Sequence, residues 1–381
     1  MPMMVQFLPW ADLKRDLNVG PITFWPFTAA NRAKIADPAI RDHLERYLAT
    51  YVDQRGTAVK TVAVANTGQL DFRDLSLQEQ KQVRAACDVL IFSVIYPQTA
   101  SGVQAKNGTM GPPSADRYQL MTQCFTPGKD DIAIVAGTLM SSGWKIGEVK
   151  FPKPWCMGGP FSSPDKDFLD GFSRILDLGF DTSVRGRLVR SLEWFRLAHT
   201  EVDEVSPFSK VVMMATAFEI LLDVPNVSRK ADWIAERVGQ LCGSPDSTND
   251  TRKVYGKDVT RPKVAWWAWD FYKLRNSVVH GDDVQPEQLL FSVSDADLKW
   301  LTQLIVADLL FGELIIWKLE EQRCLGNEAD EFVAAINAIA TDDSEGLSRE
   351  AGVRFVRDLN ALHRALEWQL PLAREQDGST Q

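Results

Sequence analysis

The sequence predicts an α+β protein, with a mixed α/β N-terminal part followed by an all-α part. Three observations predict it. Before about residue 165, proline and glycine are frequent, and short apolar runs carry β-branched and aromatic residues. Beyond that point, apolar residues recur at helical spacing, as at Leu188, Leu192, Phe195 and Ala198. A proline- and glycine-rich stretch, Phe151 to Pro164, separates the two and reads as a linker. The expected organisation is a mixed α/β domain over 1–160, a helical domain over 165–325, C-terminal helices over 326–373 packed on it, and a disordered tail at 374–381.

In the N-terminal part, Ala36 to Tyr51 reads as a helix with Pro38 in its first turn. Thr61 to Ala65 reads as a strand, closed by the turn signal Asn66-Thr67-Gly68. Ser76 to Ala86 reads as a helix that is polar on one side. Asp88 to Tyr96 (DVLIFSVIY) reads as a second strand, Ile132 to Gly137 as a third and Trp144 to Phe151 as a fourth. Between them, Gln98 to Ala115 holds Gly102, Gly108, Gly111, Pro112 and Pro113 and reads as an irregular loop. It lacks the G-x-x-x-x-G-K-[ST] form, so no phosphate cradle is assigned to it.

In the second part, helices are expected over Asp165–Leu178, Ser183–His199, Ser209–Leu222 and Lys230–Cys242, the last closed by Gly243. The polar stretch Ser244–Pro262 reads as a loop or flap. Lys263–Val279 is the next helix, ending at Gly281. Ser294–Arg323 reads as one long helix or two joined ones, with Ser294 and Asp297 as its start signal. Glu328–Ile339 and Ser348–Leu370 add two amphipathic helices.

The chain of 381 residues carries a net charge of -9, which argues against a broad basic surface for nucleic acid but not against a local cationic groove. Cysteines stand at 87, 124, 156, 242 and 324, with no C-x-x-C pair, so neither a zinc site nor a disulfide framework is indicated. No metal and no cofactor are expected. Met1 to Trp10 lacks the charged and apolar regions of a signal peptide. Leu304 to Leu319 is interrupted by Asp308, Glu313 and Lys318 and reads as a buried helix. A cytoplasmic protein without membrane contact is the expectation.

The segment that carries chemistry is Asp270 to Asp283, DFYKLRNSVVHGDD. Arg275 and His280 lie about 140° apart around a helix axis, whereas Asn276 and His280 share a face. A long arginine side chain can still reach round, so a guanidinium, an amide and an imidazole could converge on one anionic group at the helix end. Arginine matches phosphate oxygens with a fixed cationic fork, and histidine moves protons near neutral pH. Such a set suits RNA cleavage by attack of a ribose 2'-OH on the adjacent phosphate. With 24 arginines and 4 histidines, the bare R-x4-H spacing is expected by chance about 0.25 times in such a chain. Its setting adds what the spacing lacks: a helix end, a polar residue after the arginine, and a glycine after the histidine.

The segment resembles the R-[polar]-x3-H motif of HEPN domains. Tyr272, Arg275, Asn276, Val279, His280 and Gly281 match the form seen in the ApeA-like HEPN group. Ala217, Glu219, Leu221 and Leu222 resemble the preceding A-x-E-x-L-L helix of that group, and Arg237 with Leu241 the R-x-x-x-L helix between. The resemblance covers about 165–325. It implies an up-and-down helical bundle and a metal-independent endoribonuclease, paired as a homodimer so that two motifs line one cleft. It also implies 2',3'-cyclic phosphate products and a role as a toxin or antiviral-defence effector. Arg275 would hold the phosphate, His280 would transfer protons, and Asn276 would orient or stabilise. The N-terminal domain would sense a protein or ligand trigger. The alternative is a HEPN-type bundle without catalysis, serving as an interaction or nucleotide-binding module.

Plainer readings stand beside these. His280 can be a helix C-terminal residue favoured by the dipole. Glu219, in an apolar helix, needs a partner and is expected in an ion pair with Arg237 or Arg275. Trp266, Trp267 and Trp269 are expected in a core or interface rather than stacked on bases. Arg185, Arg187 and Arg190 read as a solvated face. His43, His199 and His363 read as ordinary core or surface residues.

Overall fold

The computed structural model describes residues 3–66, 72, 75–104, 114–136, 139–154, 163–177, 180–201, 205–243, 249–290 and 302–325, with backbone alone at 66, 104, 131–136 and 139–144. The architecture is α+β. The chain divides into two compact units, one built from Met1–Ile95, Pro113–Val205 and Gln322–Gly326, the other including Tyr96–Pro112 and Ser206–Glu321.

In the first unit the order of elements is β1 (Met3–Leu8), β2 (Leu17–Val19), β3 (Ile22–Pro26), α1 (Ala29–Arg32), α2 (Pro38–Leu48), β4 (Tyr51–Val52), β5 (Val62–Asn66), α3 (Leu77–Gln104, which ends in the second unit), β6 (Met121–Phe125), β7 (Asp131–Ala136), β8 (Leu139–Lys145), β9 (Phe151–Pro152), α4 (Lys166–Leu176) and α5 (Thr182–Ala198). Seven of these strands form one antiparallel sheet in the order β2-β3-β5-β1-β6-β7-β8. Strand β1 lies inside it, with Gln6 opposite Val64 on one side and Thr122 on the other. Helix α2 starts where Asp37 accepts a hydrogen bond from the Ala39 N–H and Pro38 takes the first helical position. It buries Ile40, Leu44, Tyr47 and Leu48 against Val5, Phe7 and Phe125 of the sheet.

The β2–β3 connection turns at Gly20, whose φ is +57° and whose N–H donates to Ser173 Oγ at 2.9 Å. A Cβ there would stand 2.9 Å from Leu176 Cβ. Gly20→Ala is therefore expected to lower stability by about 1–2 kcal/mol, from the left-handed backbone together with the close contact. A urea midpoint equal to that of the parent would contradict this.

The expected strand at Asp88–Tyr96 is instead part of helix α3. Its residues from Val83 to Val94 are buried nearly without interruption. A helix buried on all sides has no polar face, and its apolar run then matches that of a buried strand. The start signal was present: Ser76 and Glu79 form a reciprocal capping box. Phe92 packs edge-on against Phe168, Phe172 and Phe195, at centroid distances of 5.1, 6.0 and 5.4 Å, which ties α3 to α4 and α5. Asp88 is buried and accepts a 2.6 Å hydrogen bond from Arg196 Nε. Among the described residues, only Leu77–Val103 is long and apolar enough to cross a membrane, and 89% of that window is covered by the protein itself.

The second unit contains α6 (Pro207–Leu221), α7 (Lys230–Cys242), β10 (Asn249–Val254), β11 (Lys257–Pro262), α8 (Lys263–His280) and α9 (Gln303–Glu321). Helix α8 packs on α6 and α7, and α9 packs on the same two. Helices α4 and α5 belong to the first unit, and the second unit resumes at Ser206. Ser206 caps α6 by accepting from the Ser209 N–H, with Pro207 next. The core between these helices is aromatic: Phe218 lies 6.1 Å from Phe271 and 5.8 Å from Phe311, and Trp267 stacks on Phe271 at 4.9 Å. The Tyr96 hydroxyl donates to Glu313 Oε1 of α9 at 2.8 Å.

The expected loop at Ser244–Pro262 contains a β-hairpin instead. Tyr255 and Gly256 form its two-residue turn with φ of +50° and +76°, the signs that a type I′ turn requires. Its strands are largely exposed, so their polar composition concealed them. The expected start at Ser294 and Asp297, the helices at 328–339 and 348–370, the tail and His363 lie outside the described residues.

Candidate functional site

Helix α8 ends as the sequence expected. The N–H of Gly281, at φ +78°, bonds to Val278, and the N–H of Asp282 reaches back to Ser277 O at 3.0 Å. This is a Schellman closure, which only a residue tolerant of left-handed backbone completes readily. The last two turns of α8 carry Tyr272, Arg275, Asn276 and His280. Tyr272 is buried, Arg275 and Asn276 are half-buried, and His280 is exposed.

The structure joins Arg275 to Asn276 and to Glu219, one of the two pairings expected for that carboxylate. Arg275 Nη1 donates to Asn276 Oδ1 at 3.1 Å. Its Nη2 lies 3.5 Å from Oε1 of Glu219 on α6. That same oxygen accepts the Tyr272 hydroxyl at 2.7 Å, and Glu219 Oε2 accepts from Lys230 Nζ at 2.8 Å. The Tyr272 ring lies 5.4 Å below the Arg275 guanidinium. Burial, and then the bond to Glu219, push the Tyr272 hydroxyl far above its ordinary pKa, so it acts as a fixed donor. One carboxylate thus serves two cations and a phenol, and the cluster keeps a net positive charge. Arg275 Nε is buried with no hydrogen-bond partner among the described residues, so the guanidinium retains a donor. His280 makes no hydrogen bond or ion pair among the described residues and presents its ring to solvent.

Of the two partners expected for Glu219, Arg275 is the one found. Arg237 lies instead over the Trp317 ring at 5.5 Å and bonds Gln240 Oε1. Lys230 was missed as a partner. Its signal was indirect: an acidic residue inside the apolar run of α6 requires compensation from neighbouring elements.

Of Trp266, Trp267 and Trp269, the first two are core residues and Trp269 is half-buried, donating to Asp232 Oδ1 at 3.2 Å. Trp266 and Trp267 are fully buried. Trp266 donates to Asp250 O at 2.8 Å, with Arg252 and Arg261 at 4.6 and 4.9 Å from its ring. Arg252 and Arg261 in turn pair with Asp270 and Asp232, which fixes the hairpin to α8 and α7. Arg185 donates to Asp177 O, and Arg190 is exposed. His43 is buried and stacked on Phe125 at 4.6 Å, and buried His199 bonds Phe195 O through Nδ1. Among the described residues no cluster of His, Cys, Asp and Glu is arranged to hold a metal ion. Compared with models of known protein families, with curated proteins and with solved structures, the chain matches none.

Proposed function

We propose that the chain is an endoribonuclease of the HEPN type that works without a metal ion, and that Arg275, Asn276 and His280 form its reacting set. The observation that carries the reading is the end of α8. There the guanidinium of Arg275 keeps an unused donor inside a net-positive cluster, and the imidazole of His280 is open to solvent. In the reaction a ribose 2'-oxygen bonds to phosphorus and the P–O5' bond breaks, giving a 2',3'-cyclic phosphate and a 5'-hydroxyl. Arg275 balances charge on the phosphoryl oxygens. His280 serves one of the two proton transfers, from the 2'-OH or to the leaving oxygen. Asn276, bonded to Arg275, orients the guanidinium. Glu219 positions it from the other side.

On this reading the helical unit pairs with a second copy, the first unit receives a protein or ligand trigger, and the protein acts in the cytoplasm as a toxin or antiviral effector. The rival is a bundle of the same type without catalysis, used for interaction or regulation. One observation favours it: the Arg275 guanidinium already faces a carboxylate, at 3.5 Å.

The test is cleavage of single-stranded RNA in EDTA by the full chain, beside Arg275→Ala and His280→Ala. Each variant is expected to lose about a hundredfold or more in rate. Equal cleavage by all three, or none without added metal, would overturn the proposal.

A further inference from the structure

The tip of the β10–β11 hairpin combines three features that its own stability does not need. Tyr255 is 64% exposed although aromatic. It holds φ +50° at a turn position where asparagine or glycine is the less strained choice. The Arg229 guanidinium, just before α7, lies over its ring at 4.7 Å. Exposed Lys253 and Lys257 flank the turn on the hairpin, with Asp258 opposite Lys253, and the exposed Val227 lies two residues before Arg229 in the chain. The hairpin is a rigid mount, because Arg252 and Arg261 anchor it through Asp270, Asp232 and Trp266. Strain of this kind persists where the surrounding structure enforces it, and it gathers at sites of function.

We infer that the Tyr255 ring, backed by Arg229, is a stacking platform for a nucleobase of single-stranded RNA entering the Arg275 site. The inference rests on the ribonuclease reading and extends it to substrate contact. An exposed aromatic face with neighbouring cations is the arrangement that holds single strands, the ring taking the base and the cations the backbone. Continuity with the reacting set is covalent and ionic: Arg229 is followed by Lys230, Lys230 bonds Glu219, and Glu219 faces Arg275. A base stacked on Tyr255 has the Arg229 cation beside it, and the platform favours single strands over duplex, whose bases are already stacked.

The experiment measures binding of a short fluorescent single-stranded oligoribonucleotide of mixed sequence, by anisotropy, to the full chain carrying His280→Ala so that the probe stays intact. Adding Tyr255→Asn is expected to weaken binding about tenfold. The same change should keep or raise the unfolding midpoint, since asparagine suits the turn better. Tyr255→Phe should bind within about twofold of the parent, because the ring is kept. Arg229→Ala should flatten the salt dependence of log K by about 0.7, as for one lost phosphate contact. Binding by Tyr255→Asn equal to the parent's would overturn the platform while leaving the ribonuclease reading intact. So would loss of self-association by Tyr255→Asn in sedimentation, which would make the tip an interface between copies. Failure of the parent itself to bind any RNA would instead remove the ribonuclease reading.

Discussion

Replacing Arg196 by methionine is expected to cost about 3–5 kcal/mol of stability at neutral pH, because it strands a buried carboxylate. Asp88 is 1% exposed, on the apolar helix α3, and Arg196 Nε is its partner at 2.6 Å. Even with that cation beside it, burial pushes the Asp88 carboxyl up to about 6. The folded value thus lies above the unfolded one near 3.8. Stability from the protonated form is fully present below about pH 4 and lost as pH rises through about 6. Without Arg196 the folded value rises further, so the deficit of Arg196→Met should shrink as pH falls from 7 to 5. Urea midpoints at the two pH values decide the matter, with Asp88→Asn as a variant that removes the titrating group. A deficit of the same size at both would contradict the account.

Gly312→Ala is the second large effect, expected at about 3 kcal/mol or more. A Cβ at this position of α9 would fall 2.0, 2.1 and 2.5 Å from three carbons of the Tyr96 ring. No rotamer of alanine relieves such an overlap, so the ring or the helix must move in a closely packed core. Moving the ring also breaks its bond to Glu313, a carboxylate only 4% exposed. The coupling is testable: Gly312→Ala placed on a Tyr96→Leu background should cost less than on the parent. Strict additivity of the two changes would show that the ring is not the obstacle.

How far the sequence specified this molecule depends on how local each signal was. Helices α2, α6, α7 and α8 could be read to within a few residues, because each carries helical apolar spacing or a long apolar run together with punctuation: Asp37-Pro38, Ser206-Pro207, Gly243 and Gly281. The start of helix α3 reads as a helix at Ser76–Ala86, but its middle, Asp88–Tyr96, reads as a strand because burial on all sides removes its stripe. Strands β1, β2, β3, β4 and β6 were not foreseen, and the stretch expected as a strand at Trp144–Phe151 is instead the end of β8 followed by a 3-10 turn at Ile146–Glu148. The pairing of β1 joins segments far apart, Met3–Leu8 with Val62–Asn66 and Met121–Phe125, and no local pattern encodes that. The hairpin β10–β11 was hidden by strands polar on both faces. At the candidate site, Arg275, Asn276 and His280 followed from one short segment of one helix. Glu219 was foreseen as half of an ion pair. Lys230 was not, since only the packing of α6 against α7 brings it there.

The Schellman closure at Gly281 has an evolutionary consequence. The stop of α8 is written in backbone bonds from Gly281 and Asp282, not in the imidazole that precedes them. Position 280 bears no structural duty beyond a dipole contribution of about 0.3–1 kcal/mol. A lineage could discard its histidine and keep a folded helical unit, or regain it in a single codon change. Chemistry and architecture are in this way separately inheritable at the end of one helix.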